Sequence, residues 1–190
     1  KPLPQTEVRI AEDQEVLVVT LVNSAVDNFY TRVNNFVEKA GYLPHTGYRV
    51  RTLHGLANDI VRERPDLAGL EQNFQIIDER EASAILKEAV QTWLRSRPYA
   101  LDEYYHPDLD ESRRDGLTRD KLPALIGDVA LAIIRYAKDQ QQTPDRLVAK
   151  LEQLPVPLPL LEMGIDVYSL YQRALLYRGA VDFDDLIRLA

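Results

Sequence analysis

Thr20, Asn23, Thr52 and His54 are the residues whose types and spacing could do chemistry in this chain. They fall where two short β-branched runs, Val18-Val19-Thr20 and Val50-Arg51-Thr52, break and pass into amphipathic helical patterns. In an open parallel sheet the crevice outside the carboxyl ends of the strands is where ligands bind, so polar side chains at such corners are candidates for holding one. Two of them also have a structural reading: Asn23 as the N-cap of the following helix, and His54 as a satisfied group at a helix start. Asp182, Asp184 and Asp185 resemble a carboxylate cluster, but acids in a first helical turn serve capping and the macrodipole, so no catalytic residue is assigned.

The elements that must position the corners follow from periodicity. Val16 to Thr20 predicts a buried strand, and Ala25, Val26, Phe29, Val33, Phe36, Val37 and Ala40 follow at helical spacing up to Gly41. A second strand near Arg49 to Thr52 feeds Leu53, Leu56, Ala57, Ile60 and Val61 on one helical face, which stops before Pro65. Two strand–helix units with one plan suit neighbouring parallel strands joined by crossover helices. A two-stranded sheet is a poor core for an α/β fold, so its neighbouring strands are expected outside this chain.

From residue 77 the strand signals disappear. Asp78-Glu79-Arg80-Glu81 is an acidic capping box opening a helix that places Trp93 in the core. Residues 99 to 116 are polar and charged and predict a long loop, with Tyr104-Tyr105-His106 as its anchor or as a stacking platform. Helical periodicity resumes over Leu122 to Ala137, with Pro123 tolerable only in a first turn. Thr143-Pro144-Asp145 caps another helix ending near Leu154. Pro155 to Pro159 is expected to be extended, ahead of a helix over Leu161 to Arg178 closed by Gly179, and Asp182 caps a last one. The expectation is a predominantly α chain: a small parallel α/β portion at 1–76, a helical insertion at 77–170, and a return segment at 171–190.

Composition narrows the function classes. The 190 residues hold no cysteine, which excludes disulfides and thiolate metal sites, and His45, His54 and His106 lack the spacing of zinc ligands, so no metal is assigned. No apolar run approaches a membrane span, and Lys1-Pro2-Leu3-Pro4 lacks the apolar core of a signal peptide, so a cytoplasmic protein is expected. The lack of an initiating Met agrees with a piece of a longer protein. A net charge of -7 argues against a nucleic-acid partner on average. Between residues 24 and 64, however, Arg32, Lys39, Arg49, Arg51, Arg62 and Arg64 outnumber Asp27, Glu38, Asp59 and Glu63, placing a mildly basic surface beside the corners.

At these residues the chain resembles the UvrD/Rep family of superfamily 1 DNA helicases. Val19-Thr20-Leu21-Val22-Asn23-Ser24-Ala25-Val26, followed by Arg32-Val33, looks like the family's first DNA-contacting motif, T-F-T-N-x-A-A with a later R-I pair. Thr52-Leu53-His54-Gly55 looks like the second, T-F-H-S. Gly179 to Leu186 is similar to G-x-x-D-F-D-D-L, which precedes the acidic Walker B strand.

The resemblance implies an incomplete P-loop NTPase (RecA-like) motor domain carrying a 1B-type helical insertion. It implies single-stranded DNA contacts from Thr20, Asn23, Arg32, Thr52 and His54, as hydrogen-bond donors to phosphate and sugar. Leu21 and Leu53 stand where the family has phenylalanines, and Val22 and Gly55 replace Thr and Ser. Base–aromatic stacking is worth about 1–3 kcal/mol per base, and leucine keeps the apolar contact without the π-face. The phosphate loop G-x-x-x-x-G-K-[ST] and the acidic D-E-x-Q-D segment are absent, so ATP and magnesium are expected for the parent protein and not for this chain, which alone should not unwind DNA. Its expected partners are single-stranded DNA and the remaining motor domains. The alternative is a non-catalytic helical module whose acidic insertion binds a protein.

Overall fold

The computed structural model describes residues 15–190; the amino-terminal tetrapeptide and the rest of the first fourteen residues of the expected α/β portion lie outside them. Helix dominates, and the chain divides between Glu63 and Arg64 into two compact units.

The first unit is β1 (Val16–Thr20), α1 (Asn23–Lys39), β2 (Tyr48–Thr52) and α2 (Leu53–Glu63). The strands are parallel, in the register Val16↔Tyr48 to Thr20↔Thr52. Parallel sheets are ordinarily covered on both faces. Here Val50, Ala57 and Val61 are buried, whereas Val16, Leu17 and Val19 of β1 are each more than two-fifths exposed. Gly41 takes φ +81° just beyond α1, a left-handed conformation that favours glycine.

The second unit holds β3 (Gln75–Ile76), α3 (Glu79–Ser96), α4 (Glu111–Gly116), α5 (Leu122–Asp139), α6 (Pro144–Leu151), α7 (Pro159–Tyr177), β4 (Ala180–Val181) and α8 (Phe183–Leu189). Its core is the facing stripes of α3, α5 and α7, with Trp93, Ile126, Ala130, Ile134, Met163, Val167 and Tyr168 all buried. Each fully buried large aliphatic contributes about 1.5–3 kcal/mol. Gly164 lets α5 and α7 close up, because a Cβ there would overlap Ile133 Cδ1. The capping box is present: Asp78 Oδ1 accepts from Arg80 N and Glu81 N at 2.9 Å, and Glu81 Oε2 accepts from Asp78 N. Trp93 Nε1 donates to Asp166, which also pairs with Arg97.

In the second unit three sequence expectations need correction, and in the first the expected burial of β1 is not found. Strand signals do not vanish after residue 77, since Ile76 pairs in parallel with Val181; two residues are too few to leave a periodicity. The stretch 99–116 is not all loop. Asp110 Oδ1 accepts from Arg113 N at 2.8 Å and opens α4, which passes through a π-helical turn, Leu117–Lys121, into α5. Nor is Pro159 extended: it takes the first position of α7, where its missing N–H costs nothing.

Candidate nucleic-acid contact site

Parallel pairing puts both strand–helix corners at one edge of the first unit. Thr20 and Thr52 face each other in register, about 4.8 Å apart as neighbouring parallel strands are. Asn23 opens α1 and His54 lies in the first turn of α2, both exposed, whereas both threonines are half-buried.

The two threonines are engaged differently. Thr20 Oγ1 donates to Val22 O at 3.1 Å, bracing the two-residue turn into α1 and leaving its lone pairs outward. Thr52 Oγ1 instead accepts from Gly55 N at 3.0 Å, satisfying an orphan amide of the first turn of α2. Its O–H proton meets no acceptor among the described residues, so Thr52 remains a donor. Gly55 fits this cap closely, since a Cβ would come within 3.1 Å of Thr52 Oγ1.

Asn23 is not an N-cap. Val22 holds that position in extended backbone, no side chain caps α1, and Asn23 is the first helical residue. Neither α1 nor α2 carries an acid in its first turn, so the partial positive charge of both helix starts is uncompensated.

Arg32 stands apart from the corners. Nine residues beyond Asn23, it lies about 14 Å further along α1 and about half a turn round it. It is exposed, beside Asp27, Asn28 and Thr31, and forms no ion pair among the described residues. The basic surface is partly matched: Arg49 pairs with Glu15 at 3.1 Å, Arg51 with Asp59 at 3.0 Å and Arg64 with Asp66 at 3.0 Å.

At the far end of β2 an aromatic group fixes the loop entering the strand. Tyr48 Oη donates to Asn34 Oδ1 at 2.5 Å, His45 N donates to the same oxygen at 3.1 Å, and Tyr30 packs on both rings. Burial, followed by the neighbouring Tyr30, raises the Tyr48 phenol above its ordinary pKa.

The second unit contains a charged centre that sequence reasoning missed. Lys138 Nζ, on a side chain 1% exposed, lies 2.5 Å from Asp182 Oδ2 and 3.0 Å from Asp185 Oδ2. Tyr171 Oη donates to Asp182 Oδ2 at 2.7 Å, and Asp182 Oδ1 accepts from Asp185 N, capping α8. Burial works against ionising Asp182, but the Lys138 charge and hydrogen bond, the Asp185 N–H and the Tyr171 hydroxyl outweigh it and hold the carboxyl below its ordinary pKa. Tyr171 is pushed up, by burial and by Asp182, and Tyr168, mainly by burial, up to about 12. Capping thus explains Asp182, as the spacing suggested, and the lysine partner comes from 44 residues upstream. No three His, Asp or Glu side chains among the described residues converge as metal ligands.

Similarity to known proteins runs over nearly the whole chain. A family model described as the UvrD/REP helicase N-terminal domain matches residues 6–190. The chain is 28% identical over 180 residues to a probable DNA helicase II homolog of Rickettsia felis, covering 94% of this chain and 22% of that protein. It is 24% identical over 172 residues to the ATP-dependent DNA helicase PcrA of Staphylococcus epidermidis, covering 90% and 19%. It therefore spans about a fifth of the length of these relatives.

Proposed function

The chain belongs to the UvrD/REP helicase N-terminal domain family, and from that premise we propose that it supplies single-stranded DNA contacts to an ATP-dependent DNA helicase or translocase. The observation that carries this reading is the in-register facing of Thr20 and Thr52 at one edge of a parallel pair, each leading into a helix start without acidic residues. Such an edge suits a phosphate: helix-start amides and short donors point at an anion with no carboxylate to repel it. Thr52 donates its free hydroxyl proton to a phosphate oxygen, the Asn23 amide and the His54 ring bind phosphate or sugar beside it, and Thr20 holds the α1 corner in shape. Arg32 meets the backbone further along the strand. Contacts to phosphate and sugar carry no sequence information, as movement along any sequence requires.

The residues present do not fit a nucleoside triphosphate. β1 reaches α1 through Leu21 and Val22, β2 runs directly into α2, and neither corner has the glycine-rich loop that cradles phosphates. In this proposal ATP and magnesium are held by the remaining motor domains of the parent protein, and the chain alone neither hydrolyses ATP nor unwinds DNA. No helix among the described residues is long and apolar enough to cross a membrane, and a cytoplasmic location accompanies the reading.

Fluorescence anisotropy of a labelled single-stranded oligonucleotide, titrated with the chain at low and moderate salt, tests the assignment. Salt-sensitive binding that weakens at least about tenfold in Thr52→Ala/His54→Ala is expected. Affinity unchanged by the double substitution overturns it.

A further inference from the structure

Where the N-termini of α3 and α8 meet the C-terminus of α5, the second unit holds an open cavity of about 500 Å³, within the range of ligand-binding clefts. Its floor is apolar, formed by Ala82, Leu86, Leu131 and Ile134, and its rim is acidic. Several rim carboxylates are accounted for by the fold: Asp78 caps α3, Asp182 is bound to Lys138, and Glu79 lies 3.9 Å from Arg135.

Asp139 and Asp184 remain at the mouth as exposed carboxylates, Asp184 in the first turn of α8, where the helix dipole favours it. Neither makes an ion pair or hydrogen bond among the described residues, and Asp139 sits in the last turn of α5, where the helix dipole disfavours an acid. They repel one another: the Asp184 carboxyl is raised above its ordinary pKa by burial, then by Asp182, with Asp139 adding to the same side and Lys138 and Arg135 opposing it. A mouth where acids outnumber the one lining cation, Arg135, and where Asp139 and Asp184 make no ion pair among the described residues, is complementary, above an apolar floor, to a cation carried on an apolar body. A metal ion does not match it, because no three ligand side chains converge there and an apolar floor offers an ion nothing.

We propose that this groove is a docking site for an arginine-bearing amphipathic segment of a partner protein, its guanidinium between Asp139 and Asp184 and its apolar side chains on Leu86, Leu131 and Ile134. Arginine suits the place better than lysine, since a planar guanidinium bridges two carboxylates and is more weakly hydrated. The site lies wholly in the second unit and uses none of the residues assigned to DNA.

The probe is a fluorescein-labelled amphipathic helical peptide with an Arg/Leu/Ala face, titrated into the whole 190-residue chain, alongside the same peptide with lysine or glutamate for arginine. Because the chain carries a net charge of -7, Asp108→Asn/Glu152→Gln serves as a charge-matched control on exposed residues outside the groove. The arginine peptide should bind more tightly than the lysine one, the glutamate peptide should not bind, and Asp139→Asn/Asp184→Asn should weaken binding at least about tenfold with its melting temperature no lower than that of the unaltered chain. Leu131→Lys, which charges the floor and leaves the rim intact, should weaken it as well. Equal losses in the groove variant and the control show general attraction to an acidic protein and overturn the proposal. So does an absence of arginine-peptide binding to the unaltered chain.

Discussion

Thr20 and Thr52 face one another across the parallel pair with opposite hydrogen-bond polarity: one hydroxyl donates to the turn that follows it, the other accepts from the helix it starts. Equivalent residues in sequence are therefore inequivalent in chemistry, and only Thr52 keeps a proton to offer.

Single substitutions should separate the two. Thr52→Ser keeps both cap and proton and should leave oligonucleotide affinity within about twofold, whereas Thr52→Ala should lose affinity and, with the cap, about 1 kcal/mol of stability. Thr20→Ala should loosen the α1 corner and affect DNA binding less than Thr52→Ala. Anisotropy and urea denaturation on one set of variants measure both effects, and a larger affinity loss at Thr20 contradicts the polarity argument.

Gly164→Ala tests the closeness of α5 and α7. The added methyl has to displace the Cδ1 end of Ile133, and because alanine gains about 1 kcal/mol over glycine inside a helix the net loss should be about 1 kcal/mol or less. Pairing it with Ile133→Val or Ile133→Ala should recover part of the loss. Additive losses in urea denaturation would mean that the two side chains do not compete for one space.

Removing Lys138 leaves two buried carboxylates facing each other. Lys138→Met should cost about 3–5 kcal/mol, and Lys138→Met combined with Asp182→Asn less than the sum of the two single changes. A double-mutant cycle by denaturant unfolding checks this; strict additivity would show that the charges are not coupled.

Acid should act oppositely on Asp182 and Asp184. Asp182 is held below its ordinary value of 3.8, so the stability it contributes is complete above that value and is lost as pH falls through its folded pKa. Asp184 is raised above 3.8, so its folded form favours the proton and its ionisation costs stability as pH rises through the folded value. Asp184→Asn should therefore raise stability near neutrality and leave it nearly unchanged at the acid end. Asp182→Asn should lower it near neutrality and flatten the acid slope. Unfolding curves between roughly pH 3 and pH 7 would show both signs.

What the sequence makes visible is what short-range physics controls. The caps at Asp78, Thr143 and Asp182 are local hydrogen bonds between residues two or three apart, and all three are found where their spacing puts them. The β1–α1 and β2–α2 units show because β-branched runs change to helical spacing at a definite residue. Pairing at a distance is hidden. Ile76 and Val181 make too short a ladder to leave a pattern, and no spacing around Lys138 points to Asp182 and Asp185, which lie 44 and 47 residues downstream. The Asn23 reading failed for a related reason: an asparagine at a helix start is a good cap only one position earlier, and the backbone places Val22 there.

The buried Lys138 centre also has a consequence for how far a substitution is felt. Asp182 holds the lysine, accepts from Tyr171 and caps α8 at once, so an exchange there disturbs all three together. A disturbance at Lys138 or at Asp182 is therefore felt at both ends of the link between α5 and α8.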